Sequence, residues 1–168
     1  VSGIRGDKES IFVPDKSLGS YAAEKTGREL VLWPGYCPTH HRILARDIES
    51  LRKEHPGALV AVHPECTGDV RAAADYIGST SGMLTFCRES DASEFIVGTE
   101  LGILHRLAKE NPGKTFYPTS DLADCPDMKL VTLEKIVWSL EDNVHVVEVA
   151  EPVRSRALQA IERMLETR

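Results

Sequence analysis

Short apolar runs rich in β-branched residues alternate with amphipathic helical patterns almost without interruption along these 168 residues. That rhythm is what parallel sheets covered by helices require. Ile11 to Val13 reads as a first strand, and Ser17 is placed to cap a short helix through Lys25 that Gly27 terminates. Glu29 to Trp33 reads as a second strand. Thr39 then caps a helix whose apolar positions Ile43, Leu44, Ile48 and Leu51 follow a period of 3.6 until Pro56-Gly57. Ala58 to Val62 is a buried strand, followed by a helix from Thr67 through Val70, Ala73, Ala74 and Ile77, with another helix opening in Ser79 to Ser81. The second half repeats the rhythm. Glu94 to Val97 is a strand, Leu101 to Lys109 a helix, Thr115 to Tyr117 a strand and 118 to 129 a loop. Leu133 to Leu140 reads as a helix turning Ile136, Val137 and Leu140 inward, Val144 to Val147 as a strand, and Pro152 to Leu165 as a closing helix. The expected class is α/β, as repeated three-layer units with short parallel sheets and a boundary between about residues 82 and 92.

Polar clusters sit at the strand-to-helix corners, where open α/β sheets place their chemistry. The densest is Trp33-Pro34-Gly35-Tyr36-Cys37-Pro38-Thr39-His40-His41. Cys37 alone reads first as a small buried hydrophobe at a strand end. With His40 beside it, a thiolate and an imidazole converge where they can bind metal or perform acid–base work. Cys125, like Cys37, is followed directly by proline, an ending common to iron–sulfur ligand runs. No local spacing links the two cysteines. His63 and Glu65 flank Pro64 and alternate to the same side, which suits an acid–base pair or a turn with Glu65 near a helix N-terminus. Gly78-Ser79-Thr80-Ser81 offers hydroxyls and free N–H groups together, as a phosphate cradle or as an ordinary Gly terminator and Ser cap. Glu100 in Gly98-Thr99-Glu100 reads as a cap, and Cys66 and Cys87 as structural.

Composition narrows the function classes. With 20 basic and 26 acidic side chains the net charge is −6, and no basic stripe or aromatic platform suits nucleic acid. The apolar runs are short, with no bilayer-length stretch and no charged leader, so the expectation is a cytoplasmic protein that does not engage membrane. Four irregularly spaced cysteines then suit reduced thiols for a metal or cluster better than a disulfide framework. The chain opens on Val1, which suits a piece of something longer.

Taken in order, Phe12-x-Pro14-Asp15-x-x-Leu18-Gly19, Trp33-x-Gly35-x-Cys37-x-x-His40, His63-Pro64-Glu65, Gly78-Ser79-Thr80-Ser81, Val97-Gly98-Thr99-Glu100-x-Gly102 and Cys125-Pro126-x-Met128 closely resemble the quinolinate synthase family. The resemblance implies the second and third of three α/β/α domains set with pseudo-threefold symmetry around a [4Fe-4S] cluster. Residues 11–88 would be the second domain, 89–168 the third, and 1–10 at most the tail of the first. The implied reaction condenses iminoaspartate with dihydroxyacetone phosphate to quinolinate, the precursor of NAD. Cys37 and Cys125 match two of the three cluster cysteines, the fourth iron being left open for substrate. His40, His63 and Glu65 match active-site residues, with Glu65 the candidate for proton transfer, and Ser79 and Thr80 match the phosphate-binding corner. The first domain, with the third cysteine ligand, is absent from the sequence, so the chain is expected to be a fragment inactive by itself, completed by that domain in cis or trans. Two alternatives are a non-catalytic remnant binding a phosphometabolite or a partner, and a zinc site on Cys37, His40 and Cys125.

Overall fold

A computed structural model describes residues 9–166 of the chain. The contacts group residues 9–125 as one compact unit and 126 onward as another. The first unit begins with two short parallel strands, β1 (Ile11–Phe12) and β2 (Val31–Leu32), joined through α1 (Lys16–Thr26). A single 3-10 turn, His40–Arg42, precedes α2 (Ala45–Glu54). Then come β3 (Leu59–Val62), α3 (Gly68–Ala72), β4 (Tyr76–Ile77), α4 (Thr80–Glu89), β5 (Glu94–Gly98), α5 (Ile103–Glu110) and β6 (Thr115–Pro118). The last four strands form one all-parallel sheet in the order β4-β3-β5-β6.

The pleat of β3 and β5 sorts the core onto two faces. Val60, Val62 and Ile96 pack with Ile48 of α2 and Val70 of α3 on one side. Phe95 and Val97 pack with Leu84 and Cys87 of α4 and Leu107 of α5 on the other. Both strands are therefore buried on both faces and read as continuous apolar runs, as parallel strands under helices must. Each such side chain taken fully out of water contributes about 1.5–3 kcal/mol before entropy is charged against it. Because the chain runs from β3 outward to β4, then crosses back to β5 and β6, the strand order reverses direction between β3 and β5. A crevice opens at the carboxyl ends of the strands at such a reversal.

Several elements differ from the sequence expectation. Residues 76 and 77 were expected as the tail of a helix from Thr67, yet α3 stops at Ala72 and Tyr76–Ile77 pairs with β3. Asp75 organises the change: its Oδ2 accepts the Val60 N–H at 2.8 Å and the Arg52 guanidinium at 2.8 Å, tying the entry to β4 onto β3 and α2. The expected cap Ser17 lies buried inside α1; Asp15 caps it, with Oδ1 accepting the Leu18 N–H. Thr39 makes no side-chain cap, and the expected continuous helix breaks at Ile43–Leu44 before α2 begins. Gly27 does close α1, in the left-handed conformation at φ 66° that favours glycine.

The expected boundary between 11–88 and 89–168 falls at the last residue of α4, just ahead of β5. Across it β3 and β5 pair from Leu59↔Phe95 to Val62↔Gly98. The expected tail at residues 1–10 lies almost wholly outside the described residues. In the second unit, α6 (Pro126–Lys129), α7 (Leu133–Glu141) and α8 (Glu151–Glu166) are the described elements. Thr132 caps α7 by accepting the Lys135 N–H. Ile136, Val137 and Leu140, expected to face inward, are 45, 46 and 80% exposed. The strand expected at Val144 to Val147 does not form, since Asn143 and His145 take positive φ values of 52° and 62°, which break an extended run.

Candidate functional site

The loops leaving β3, β5 and β6 are laced together at one edge of the sheet. His63 N–H donates to the Gly98 carbonyl, Thr119 N–H to Val97 and Leu101 N–H to Ala123, while Gly78 N–H from the β4 end donates to Val62. His63-Pro64-Glu65, Gly78-Ser79-Thr80, Gly98-Thr99-Glu100 and the stretch leading to Cys125 thus all leave the sheet from its carboxyl edge.

The loop carrying Cys37 is brought to this edge by Asp15. Asp15 is 3% exposed; while its Oδ1 caps α1, its Oδ2 accepts the Cys37 N–H at 2.8 Å. The neighbouring Lys16 N–H donates to the Gly35 carbonyl. A Cβ on Gly35 would run into the Pro14 carbonyl, so the close approach of the two loops requires glycine there. Cys37 is a half-buried free thiol.

His40, one 3-10 turn further on, is the centre of the site. It is 8% exposed, its Nε2 lies 2.9 Å from Thr99 Oγ1 at the β5 end, and its ring stacks on His63 at 4.5 Å. Its Nδ1 approaches Glu65 Oε2 at 3.0 Å. That approach lacks hydrogen-bond alignment, so Nδ1 is buried without a partner. Burial, reinforced by His63, pushes the His40 pKa down to about 4, against the opposing pull of Asp15. His63 is lowered too, by burial. Glu65 is raised, by burial and then by the Asp15 charge, with a hydrogen bond from Cys37 pulling the other way. Burial thus favours the neutral form of both imidazoles, and Glu65 holds its proton more tightly than an ordinary glutamate.

Glu65 rests on a turn that Arg71 clamps. The buried Arg71 donates through Nη1 to the carbonyls of Ser17, Pro64 and Cys66, and through Nη2 to Glu24 at 3.2 Å. Sequence reasoning missed Asp15, Thr99 and Arg71 as supports of the site. Of these only Asp15 had a local signal, standing three residues before Leu18 at the start of an amphipathic run.

The remaining candidates fall into two groups. Cys125 is a half-buried free thiol at the end of the loop after β6. Arg42, from the His40 turn, donates to the Leu122 and Asp124 carbonyls of that loop. Ser79 caps α4, with Oγ accepting the Gly82 N–H at 3.2 Å, and both Ser79 and Thr80 are exposed at the sheet edge beside the His63 loop. Glu100, expected as a cap, instead closes a local turn: its Oε2 accepts the Gly102 N–H at 2.8 Å, while α5 starts from Gly102 without a side-chain cap. Cys66 and Cys87 are fully buried, and burial raises their thiols to about 12 and about 11. Neither is a thiolate donor in this fold.

Among the described residues, Cys37, His40 and Glu65 form a group whose donor atoms all lie within 4.8 Å of one another. A parallel α/β sheet with a thiol, two neutral imidazoles and a carboxyl at its carboxyl edge defines a metal-competent α/β site, in a chain where no described helix is long and apolar enough to cross a membrane. The family model described as Quinolinate synthetase A protein matches residues 1–166, and the chain belongs to that family. It is similar to Quinolinate synthase 1 of Methanosarcina acetivorans, 50% identical over 157 residues, which are 94% of this chain and 52% of that protein. It is also similar to the quinolinate synthase of Desulforudis audaxviator, 50% identical over 165 residues, covering 98% of this chain and 54% of that protein. The chain thus spans about half the length of the curated relatives it matches.

Proposed function

We propose that this chain is part of a cytoplasmic quinolinate synthase, which condenses iminoaspartate with dihydroxyacetone phosphate to quinolinate in NAD biosynthesis. The observation that carries the reading is the convergence of Cys37, His40, His63 and Glu65 at the reversal between β3 and β5, in a member of this family.

Cys37 and Cys125 are the cluster ligands of this chain. Both are half-buried free thiols on loops at the carboxyl edge, the loops being joined through Arg42, and this donor set fits a cluster better than the encased Cys66 and Cys87. A [4Fe-4S] cluster bound there supplies a Lewis acid for a substrate oxygen. The third thiolate then comes from a first domain outside this sequence.

The side chains divide the remaining work. Glu65, whose carboxyl holds a proton more tightly than an ordinary glutamate, delivers and recovers it at Oε2. His63, kept neutral by burial, accepts the Glu65 backbone N–H at Nδ1, which leaves its Nε2–H as a donor toward substrate. Thr99 fixes the orientation of the His40 ring, which orients the substrate. Ser79 and Thr80, at the N-terminus of α4, receive the phosphate of dihydroxyacetone phosphate through hydroxyl and backbone N–H donors.

Anaerobic iron and sulfide reconstitution, followed by visible absorption and an assay for quinolinate, tests the reading with and without a supplied first-domain polypeptide. A stable four-iron cluster and turnover only in the mixture is expected, with both lost in Cys37→Ser and Cys125→Ser. A folded pair that assembles no cluster would refute it. Binding of dihydroxyacetone phosphate by such an iron-free pair would favour a metabolite-binding remnant instead.

A further inference from the structure

The geometry points to a second, mutually exclusive metal state: without a cluster, the chain binds one divalent transition ion of zinc-like softness through Cys37 Sγ, His40 Nδ1 and Glu65 Oε2. Cys125 is not among the ligands. This inference stands on the side chains of residues 9–125 alone and does not depend on the enzymatic reading.

Three observations carry it. His40 is more than nine-tenths buried, and its Nδ1 has no hydrogen-bond partner although a carboxylate oxygen lies 3.0 Å away. A buried nitrogen left in that state is costly unless something else occupies the lone pair. In the tautomer whose Nε2–H donates to Thr99 Oγ1, 2.9 Å away, Nδ1 is left as that lone pair, in the group it forms with Glu65 and Cys37. This is the outer-shell arrangement that holds metal-ligating histidines in one tautomer.

The spacing and the charge agree. Ligand atoms at about 2.0–2.3 Å from a four-coordinate zinc ion stand about 3.3–3.7 Å from one another. The three donors here lie within 4.8 Å of one another, so small rotations of the half-buried Cys37 and Glu65 side chains close the set. A thiolate, a carboxylate and a neutral imidazole together carry two negative charges, which a divalent ion neutralises. Binding releases the Cys37 thiol proton, and any proton on Glu65, to solvent. One coordination position is left for water. Sulfur, nitrogen and oxygen donors together suit zinc, cobalt or ferrous ion and disfavour magnesium and calcium. Because Cys37 serves both states, an ion bound here blocks cluster assembly on the same chain.

The test is an anaerobic cobalt(II) titration of the iron-free chain, read by absorption. A near-ultraviolet sulfur-to-cobalt band with the visible bands of a four-coordinate ion is expected, saturating at one ion per chain and bleached by zinc. Cys37→Ser and Glu65→Gln lose the sulfur band or the tight binding respectively, Cys125→Ser keeps both, and Thr99→Val weakens affinity by roughly ten- to a hundredfold. As a second readout on the unmutated chain, zinc protects Cys37 but not Cys125 from alkylation, mapped by mass spectrometry. Absence of the sulfur band at stoichiometric cobalt would overturn the inference. So would equal loss in Cys125→Ser, or zinc protection of both cysteines alike. The cluster reading requires Cys125 and this one does not, so each fails without the other.

Discussion

Replacing Asp15 with alanine removes both acceptors that tie the start of α1 to the Cys37 loop. The carboxylate is 3% exposed and accepts two backbone N–H groups at 2.8 Å, from Leu18 and from Cys37. Loss of the cap costs about 1 kcal/mol, within a range of about 0.5–2. Leaving the Cys37 N–H without a partner adds about 1–3 kcal/mol. Against this stands the relief of removing a buried charge that faces Glu65. That relief is the smaller effect, because both oxygens of the carboxylate hold charge-assisted bonds. The expected destabilisation is about 2–4 kcal/mol, read as a lower midpoint in urea with an unchanged slope. Asp15→Asn keeps one acceptor and turns an amide donor on the other N–H, so it should fall between wild type and alanine at about 1–2 kcal/mol. An alanine variant within about 0.5 kcal/mol of wild type would refute the reasoning, since surface changes alone reach that size. So would an asparagine variant less stable than the alanine one.

Further outcomes follow from the same contacts. Arg71→Met should destabilise the chain by about 3–5 kcal/mol in urea unfolding, because three carbonyls and Glu24 lose their donor. Arg71→Lys should not restore it, since an ammonium cannot span the same fork. In the native chain a thiol reagent should modify Cys37 and Cys125, and reach the fully buried Cys66 and Cys87 only on unfolding; prompt reaction of all four would contradict the packing. Cys87 titrates at about 11 when folded against 9.0 for the free thiol. Its stabilising effect is therefore complete below pH 9 and lost as pH rises from 9 to 11, at most about 3 kcal/mol, and Cys87→Ala should flatten that part of the stability–pH curve.

The buried strands were legible because β3 and β5 are continuous apolar runs, and Ser79 and Gly27 announced themselves as a cap and a terminator. What the sequence hid depends on partners. Tyr76–Ile77 is a strand only because β3 lies beside it and Asp75 anchors its start, whereas its alanine-rich approach favours helix locally. Val144 to Val147 has β-branched character without a neighbouring strand among the described residues, and propensity alone does not form a sheet. Cys37, His40, His63 and Glu65 were each visible as candidates. The orphaned Nδ1 and the tether to Thr99 were not, since they join residues from three separate loops.

The site gathers at one edge of the β4-β3-β5-β6 sheet, where its loops meet the one carrying Cys37, and the opposite edge holds other turns. The turns there include Pro56-Gly57 and Pro112-Gly113, where a Cβ on either glycine would meet no atom within 4 Å. Cysteines introduced at those two turns would carry fluorophores or tethers far along the strands from Cys37. The sheet thus separates a working end, where each side chain answers to several others, from a handling end where sequence can be rewritten at little cost.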